Sequence, residues 1–166
     1  MSEAGKKQKH EFEPVFNEKS KILILGTFPS VKSREMQFYY GHPQNRFWKV
    51  IAGVTDNKVP VTIEEKKNLL LRNKIAVWDV IAQCEIVGSS DSSIKNVVPA
   101  DIGRVLQNSH IKKVFANGNT AKKLYDKYIL PKLSVEIEGL PSTSPANAGY
   151  SLERLLEVWG KIGEYL

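Results

Sequence analysis

Residues 21–30 read Lys-Ile-Leu-Ile-Leu-Gly-Thr-Phe-Pro-Ser, an apolar run that stops at Gly26 and gives way to a loop. A short apolar run bounded by a turn signal is typical of a β-strand that is buried on both faces. Such strands belong to parallel sheets that are covered by helices on either side. The stretch therefore predicts a parallel sheet, with a loop leaving the carboxyl end of one strand at Gly26.

The remaining chain alternates between strand and helix patterns. Strands are predicted at residues 75–80, 113–116 and 133–137, and helices at residues 45–53, 61–72, 99–108, 120–128 and from Ser151 onward. Long loops are predicted at residues 27–43, 84–99 and 141–150. Thr62 and Glu65 have the spacing of a capping box, and Ser151 is the predicted N-cap of the last helix. The alternation predicts an α/β fold with three αβα layers and a central, mostly parallel sheet of four strands.

The length of 166 residues favours one domain, and the hydrophobic fraction of 42% is close to the globular average. We expect residues 1–20 to form a partly flexible lead-in and residues 21–166 to form a single domain. Residues 1–10 are polar and lysine-bearing and lack the apolar core of a signal peptide. No run approaches the roughly 18 apolar residues of a membrane span. These features predict a cytoplasmic protein without a membrane partner.

Cysteine content and charge restrict the cofactors and partners. Cys84 is the only cysteine, so an internal disulfide and a four-thiolate iron–sulfur cluster are excluded, and no Cys/His cluster has zinc spacing. The net charge of +6 and the pI of about 9.3 suit a partner made of phosphates. An ordinary lysine-rich surface explains the same charge, so nucleic acid is one of two alternatives at this point.

Three loops leave the predicted carboxyl ends of strands, after Leu25, Asp79 and Ile137. Ligands of open α/β sheets bind at that edge. Because these loops also carry most of the unusual polar residues, they predict one common site.

The loop after the first strand offers several candidate groups. Gly26 permits close approach of the backbone to a ligand. Tyr40 offers a flat face on which a base can stack. The amide of Asn45 can donate and accept, and its alternative role is a plain helix N-cap. His42 is a candidate base or a structural histidine.

Residues 26–30 (Gly-Thr-Phe-Pro-Ser) and 41–51 (Gly-His-Pro-Gln-Asn-Arg-Phe-Trp-Lys-Val-Ile) resemble the first motif of the uracil-DNA glycosylase superfamily, as found in its mismatch-specific branch. That branch places its catalytic asparagine in the turn, where this chain has Phe28. The hypoxanthine-DNA glycosylase branch, also called DNA-deoxyinosine glycosylase, is similar in its Gly-x-Phe-Pro turn. Its catalytic asparagine is taken to lie in the His-Pro-x-Asn-Arg-Phe-Trp run. The resemblance therefore implies that Asn45 is catalytic.

Two further segments resemble the superfamily. Asp79 matches the place where a base-reading side chain is common, and its alternative role is to cap the following turn. Residues 88–94 resemble the Gly-Ser-x-Asp-x-x-Ile stretch of the hypoxanthine branch, whose hydroxyls and carboxylate can contact phosphates or ribose; the alternative is a flexible polar loop.

The segment 141–147 resembles the superfamily's second motif. Ser142 stands where histidine or asparagine is usual, which argues against the stabilisation that the histidine gives to a departing base in the fastest members. Ala146 stands where a leucine wedge fills the gap left by a flipped base. Asn147 and Tyr150 are candidates for that role, and a Ser/Pro turn before a capped helix is the alternative.

Together the resemblance implies a DNA repair glycosylase on a uracil-DNA glycosylase-like fold. It would flip a deaminated base, hypoxanthine and/or uracil, out of DNA and hydrolyse its N-glycosidic bond without a cofactor or metal. It would act on DNA as a monomeric, cytoplasmic, prokaryotic-type protein held at the nucleoid through DNA. The implied site residues are Asn45 as the catalytic residue; Gly26, Thr27, Phe28, Tyr40, Asp79 and Ser142 at the base; and Ser30, His42, Ser89, Asp91, Ser144 and Asn147 at the DNA strand and its phosphates.

Two other functions remain open from the sequence. One is a non-catalytic member of the superfamily that binds damaged DNA. The other is a small-molecule nucleotide hydrolase on a flavodoxin-like sheet, although the chain lacks a Gly-x-Ser-x-Gly elbow and a P-loop.

Overall fold

The computed structural model of the protein describes residues 5–166. Its strands are β1 (Lys6–Lys9), β2 (Ile22–Gly26), β3 (Ile75–Asp79), β4 (Ile81–Ile86), β5 (Lys95–Pro99), β6 (Lys113–Asn117) and β7 (Ile137–Leu140). Its α-helices are α1 (Val31–Met36), α2 (Phe47–Val54), α3 (Ile63–Arg72), α4 (Ile102–Gln107), α5 (Asn119–Tyr128), α6 (Leu130–Leu133) and α7 (Leu152–Trp159). Two 3-10 helices cover Asp91–Ser93 and Gly160–Tyr165.

The central sheet has four strands in the order β3-β2-β6-β7, and every neighbouring pair is parallel. All residues of β2 and β3 are buried, as expected for strands covered on both faces. Helices flank this sheet, with α5 against β6 and β7 and with α2 against α7. The predicted αβα fold with a parallel four-stranded sheet is confirmed.

A second sheet was not predicted. Strands β1, β4 and β5 form an antiparallel sheet in that order. The prediction of a loop over residues 84–99 is therefore wrong for residues 84–86 and 95–99. The composition between β4 and β5 indicated a loop because residues 87–93 contain mostly Gly, Ser and Asp. The two strands on either side pair with each other in an irregular register. Strand β4 also pairs in continuous register with β1, which is distant in sequence.

Much of the predicted lead-in takes part in this structure. Residues Lys6–Lys9 pair with β4, and Val15 forms an antiparallel bridge with Val77 of β3. The first four residues lie outside the described part of the chain. The domain boundary at residue 21 stays a prediction.

Two other local predictions need correction. The predicted strand at 133–137 is displaced, because Pro131 lies in the first turn of α6 and the strand begins only at Ile137. The predicted loop 27–43 contains α1, whose N-cap Ser30 accepts a hydrogen bond from the Ser33 N–H. The capping box of Thr62 and Glu65 and the N-cap at Ser151 are confirmed.

Core packing holds in place the edge of the sheet at which the three loops meet. Phe47 of α2 is fully buried and packs edge to face against Trp159 of α7. The Trp159 indole N–H donates to the carbonyl of Pro141 at 2.9 Å, which ties the start of the last loop to the core. In the described part of the chain, every helix is too short or too polar to cross a bilayer.

Candidate functional site

A cavity of about 420 Å³ opens at the carboxyl edge of the central sheet. That volume lies in the range of small-ligand sites. The structure brings together at its wall all predicted site residues except Asn147, namely Gly26, Thr27, Phe28, Ser30, Tyr40, His42, Asn45, Asp79, Ser89, Asp91, Ser142 and Ser144. Further lining residues that were not predicted include Ser33, Tyr39, Asn117, Thr143, Pro145 and Ala146.

The side chain of Asn45 is held by two donors. Its Oδ1 accepts from the Phe47 N–H at 2.9 Å and from the Thr143 hydroxyl at 2.8 Å. The two donors also fix which end of the amide is oxygen. A carbonyl oxygen has two lone pairs, and both are in use here, so the NH₂ end is the free end of this side chain. The N-cap of α2 is Arg46, so the alternative prediction of Asn45 as the N-cap is wrong. Asn45 precedes the cap and lines the cavity.

Thr143 connects Asn45 to the end of β6. The Asn117 amide donates to the Thr143 hydroxyl at 2.9 Å and accepts from the Thr143 N–H at 3.0 Å. Both residues are buried. The chain Asn117–Thr143–Asn45 therefore joins three separate parts of the site. The only sequence signal for Asn117 was a polar residue at the end of an otherwise apolar strand.

Asp79 lies at the floor of the cavity beneath the first turn. Its Oδ2 pairs with His10 Nε2 at 2.8 Å. Its Oδ1 lies so close to Gly26 that a Cβ added to this glycine would come within 2.4 Å of it. Glycine at this position is what allows the carboxylate and the turn to share the space. His10 was not predicted for the site.

Tyr40 lines the cavity, and one face of its ring stacks on Phe47 with a centroid distance of 3.9 Å. Its hydroxyl is buried and has no hydrogen-bond partner within residues 5–166. Burial first, and then the charge of Asp79, hold the pKa of Tyr40 well above its usual range. The hydroxyl therefore stays protonated.

The loop 88–94 forms one rim of the cavity. The Ser89 hydroxyl accepts from the Val31 N–H at 2.8 Å, and Arg34 donates to the Gly88 carbonyl at 2.9 Å. These contacts bind the loop to α1. At Asp91, desolvation and then the nearby charge of Asp79 raise the pKa of the carboxyl.

Ser30 and His42 also line the cavity. The Ser30 hydroxyl caps α1 through the Ser33 N–H at 3.2 Å. His42 is exposed, and its Nδ1 accepts from the Gln44 N–H at 3.1 Å. Both side chains therefore have local structural contacts in addition to their place at the cavity.

The last loop is organised by Arg46. Its guanidinium donates to the carbonyls of Ser144 at 2.9 Å, Asn147 at 3.1 Å and Thr143 at 3.4 Å, and also to that of Tyr150. One side chain thus fixes the loop from residue 143 to residue 150. This role was not predicted.

Short side-chain contacts shape the same loop from within. The Ser142 hydroxyl accepts from the Ser144 N–H at 3.1 Å, and the Ser144 hydroxyl accepts from the Ala146 N–H at 3.1 Å. Asn147 donates to the Ser142 carbonyl at 3.0 Å, so its side chain is turned into the loop. Within residues 5–166, no group of three or more His, Cys, Asp or Glu side chains could hold a metal ion.

This chain is similar in sequence to known DNA glycosylases. The family model of the uracil DNA glycosylase superfamily matches residues 13–162. The chain is 33% identical over 148 residues to a hypoxanthine DNA glycosylase of Methanosarcina acetivorans, covering 88% of this chain and 92% of that protein. A hypoxanthine DNA glycosylase of Methanosarcina barkeri is 32% identical over 142 residues, covering 84% and 89%.

A solved structure shows the same architecture. The solution NMR structure of a candidate uracil DNA glycosylase from Methanosarcina acetivorans superposes with a TM-score of 0.76 at 30% identity. The match covers 92% of this chain and 96% of that one.

Proposed function

Because this chain belongs to the uracil DNA glycosylase superfamily, we propose that it is a DNA repair glycosylase for deaminated bases, hypoxanthine and/or uracil. It hydrolyses the N-glycosidic bond of the flipped nucleotide and leaves an abasic site. One observation carries this proposal. The amide of Asn45, which matches the catalytic position of the hypoxanthine branch, is fixed at the cavity wall by Thr143.

Asn45 positions the water that attacks the sugar. Glycosidic bonds break through an oxocarbenium-like state, which a weakly nucleophilic water can trap when it is well placed. A neutral amide suits this role because no strong base is needed. Since Oδ1 is bound by Phe47 and Thr143, the free NH₂ end holds the water.

The departing base carries negative charge, so donors aimed at it accelerate its departure. We assign this role to the backbone N–H groups of Thr27 and Phe28. The turn is fixed from the other side, because the Gly26 and Thr27 carbonyls accept from the N–H groups of Val80 and Ile81 at 2.8 and 3.2 Å.

The base itself is held by Tyr40 and Asp79. Tyr40 stacks on it with the ring face that Phe47 does not cover. Asp79 accepts a hydrogen bond from an N–H at the edge of the base, because an ionised carboxylate offers only acceptors. Ser142 lies at the base in the place of the usual histidine or asparagine.

The rims hold the DNA strand. His42 and Ser144 are suited to phosphate oxygens, and Ser30, whose hydroxyl donates to Ser33 Oγ at 3.1 Å, lies beside the strand. Asp91 suits the ribose edge because a carboxylate repels phosphate. Ser89 and Asn147 keep the two rim loops in shape. Flipping costs a few kcal/mol and is easiest for mispaired bases, so deaminated bases are favoured before they are read. We further propose that the protein acts as a cytoplasmic monomer.

The test is a cleavage panel. Duplex and single-stranded oligonucleotides that contain hypoxanthine, uracil or xanthine are incubated with the protein, and abasic sites are detected by alkaline cleavage. We expect excision of at least one deaminated base and no cleavage of undamaged DNA. Binding of all three damaged duplexes without excision would contradict the proposal and favour a non-catalytic sensor.

The role of Asn45 is tested in the same assay. Asn45→Ala should lower single-turnover cleavage by roughly 100-fold or more while binding to the damaged duplex stays nearly intact. Gln44→Ala, an exposed neighbour outside the cavity, is the matched control and should cleave normally. An Asn45→Ala variant that cleaves at the wild-type rate would remove the assignment.

A further inference from the structure

His10 brings the N-terminal segment into the site. It directly follows β1, and its N–H donates to the Ala82 carbonyl at 2.7 Å, so the second sheet holds its backbone. Its Nε2 lies 2.8 Å from Asp79 Oδ2, and the two side chains are only 3% and 6% exposed. A carboxylate can only accept, so Nε2 carries the hydrogen of this contact.

The surroundings of His10 make this contact its main polar interaction. The ring packs against Phe12, Tyr39 and Phe28, with centroid distances of 4.5, 5.7 and 6.1 Å. The other ring nitrogen, Nδ1, is buried and has no partner within residues 5–166. A histidine that only filled space here could be replaced by an apolar side chain without leaving a ring nitrogen unpaired.

The contact decides which oxygen of Asp79 remains for a substrate. Oδ2 is bound by His10, and Oδ1 lies at the Gly26 turn, where Asp79 lines the cavity. We propose that His10 is a positioning residue that fixes the Asp79 carboxylate with Oδ1 as the acceptor for the base. This inference rests on the proposed function and adds a residue from outside the three loops.

This arrangement predicts a preference for bases that carry a hydrogen on one particular ring nitrogen. Hypoxanthine has an N1–H and uracil an N3–H, whereas adenine and cytosine have a lone pair at the same positions. A fixed acceptor attracts the first pair and repels the second. Guanine shares the N–H, so this contact separates deaminated bases from adenine and cytosine only. A carboxylate that was free to rotate would not hold its acceptor at this position, and the distinction would be weaker.

The experiment compares His10→Gln with His10→Leu, because the two side chains are similar in size and only glutamine can donate to Asp79. The measurements are single-turnover cleavage of a hypoxanthine duplex and the ratio of affinities for duplexes with uncleavable 2′-fluoro deoxyinosine and 2′-fluoro deoxyadenosine. We expect His10→Leu to lose roughly tenfold in cleavage and in that ratio, and His10→Gln to retain most of both.

A purely structural role is separated by two further variants. Phe12→Leu removes packing against His10 without touching the polar contact, so it should lower the melting temperature and leave the affinity ratio unchanged. In an Asp79→Asn background, His10→Leu should change cleavage by less than about twofold, because His10 acts through Asp79. That background also leaves no buried charge unpaired, so it carries the test if the single His10→Leu variant does not fold.

The outcomes are distinct. If the wild-type protein excises no deaminated base, the proposed function fails. If the wild-type protein does excise a deaminated base, two results would overturn the role of His10. One is a His10→Leu variant that equals the wild type in cleavage rate and in the affinity ratio. The other is a double variant in which the free-energy losses from His10→Leu and Asp79→Asn add.

Discussion

The hydroxyl of Thr143 lies 2.8 Å from Asn45 Oδ1, although the two residues are 98 positions apart in the chain. The same hydroxyl accepts from Asn117 Nδ2 at 2.9 Å, so its hydrogen is directed at Asn45. The orientation of the proposed catalytic amide is therefore set by a residue of another loop. The first and last motifs act as one unit for this reason.

Replacing Thr143 with valine should uncouple the first and last motifs. Thr143→Val keeps the shape but removes the donor to Asn45 and the acceptor for Asn117. We expect roughly tenfold slower cleavage with little change in DNA binding, and a loss of about 1–3 kcal/mol of stability from the unpaired Asn117 amide. Single-turnover kinetics and thermal denaturation measure the two effects. Thr143→Ser keeps the hydroxyl and should restore the rate; equal rates in the valine and serine variants would show that the contact is unimportant.

Arg46→Met should release the last loop. The guanidinium binds four backbone carbonyls between residues 143 and 150, and no neutral side chain can replace those bonds. We expect faster hydrogen exchange in this loop together with weaker DNA binding and slower cleavage. Arg154→Met is the matched control, because it removes the same charge beside the same loop, where Arg154 lies over the Tyr150 ring at 4.7 Å. If both variants lose binding equally, charge and not loop order explains the effect.

Gly26→Ala should damage the floor of the cavity. The added Cβ would come within 2.4 Å of Asp79 Oδ1 and 3.0 Å of the Tyr40 hydroxyl. We expect a loss of about 1–3 kcal/mol of stability and a larger proportional loss of cleavage, since both neighbours must move. Gly160→Ala adds the same methyl group in open space and should have little effect on either. Normal cleavage by Gly26→Ala would show that the position of Asp79 is not critical.

The central sheet could be predicted because its signals are local. Strands β2 and β3 are apolar runs buried on both faces, and the helix starts at Thr62 and Ser151 depend on residues within one turn. The antiparallel sheet could not, because β1 is a lysine-rich segment whose partner lies far along the chain. All four residues of β1 are polar, so the sequence shows no alternation of polar and apolar residues there.

The candidate site likewise contains residues that local sequence could predict and residues that it could not. The residues that follow β2 and β3 could be placed at one edge from topology alone, and the cavity is lined by them. His10 could not be selected, because its meaning depends on Asp79, which is 69 residues away. Arg46 belongs to a sequence motif, but the carbonyls that it binds are defined only by the folded loop.

Glu138 should make the stability of the protein depend on pH. Its carboxylate pairs with Lys161 at 2.5 Å and Lys113 at 3.0 Å. The hydrogen bond from Lys161, followed by Lys113, lowers the pKa of Glu138 below its ordinary value of 4.5. A folded-state pKa that is lower than the unfolded one stabilises the protein above the unfolded value, and this contribution is lost as the pH falls through the folded value.

Glu138→Gln should therefore melt at a slightly lower temperature than the wild-type protein near neutral pH, and the difference should shrink as the pH falls below 4.5, the ordinary value. The effect is small because the ion pairs are partly exposed. Glu136→Gln removes the same charge from an exposed side chain two positions away and should show a weaker difference near neutral pH. Thermal denaturation of the three proteins across this pH range measures the effect. A Glu138→Gln difference that persists undiminished in acid would mean that packing of the side chain, and not its charge, holds β7 to the end of the chain.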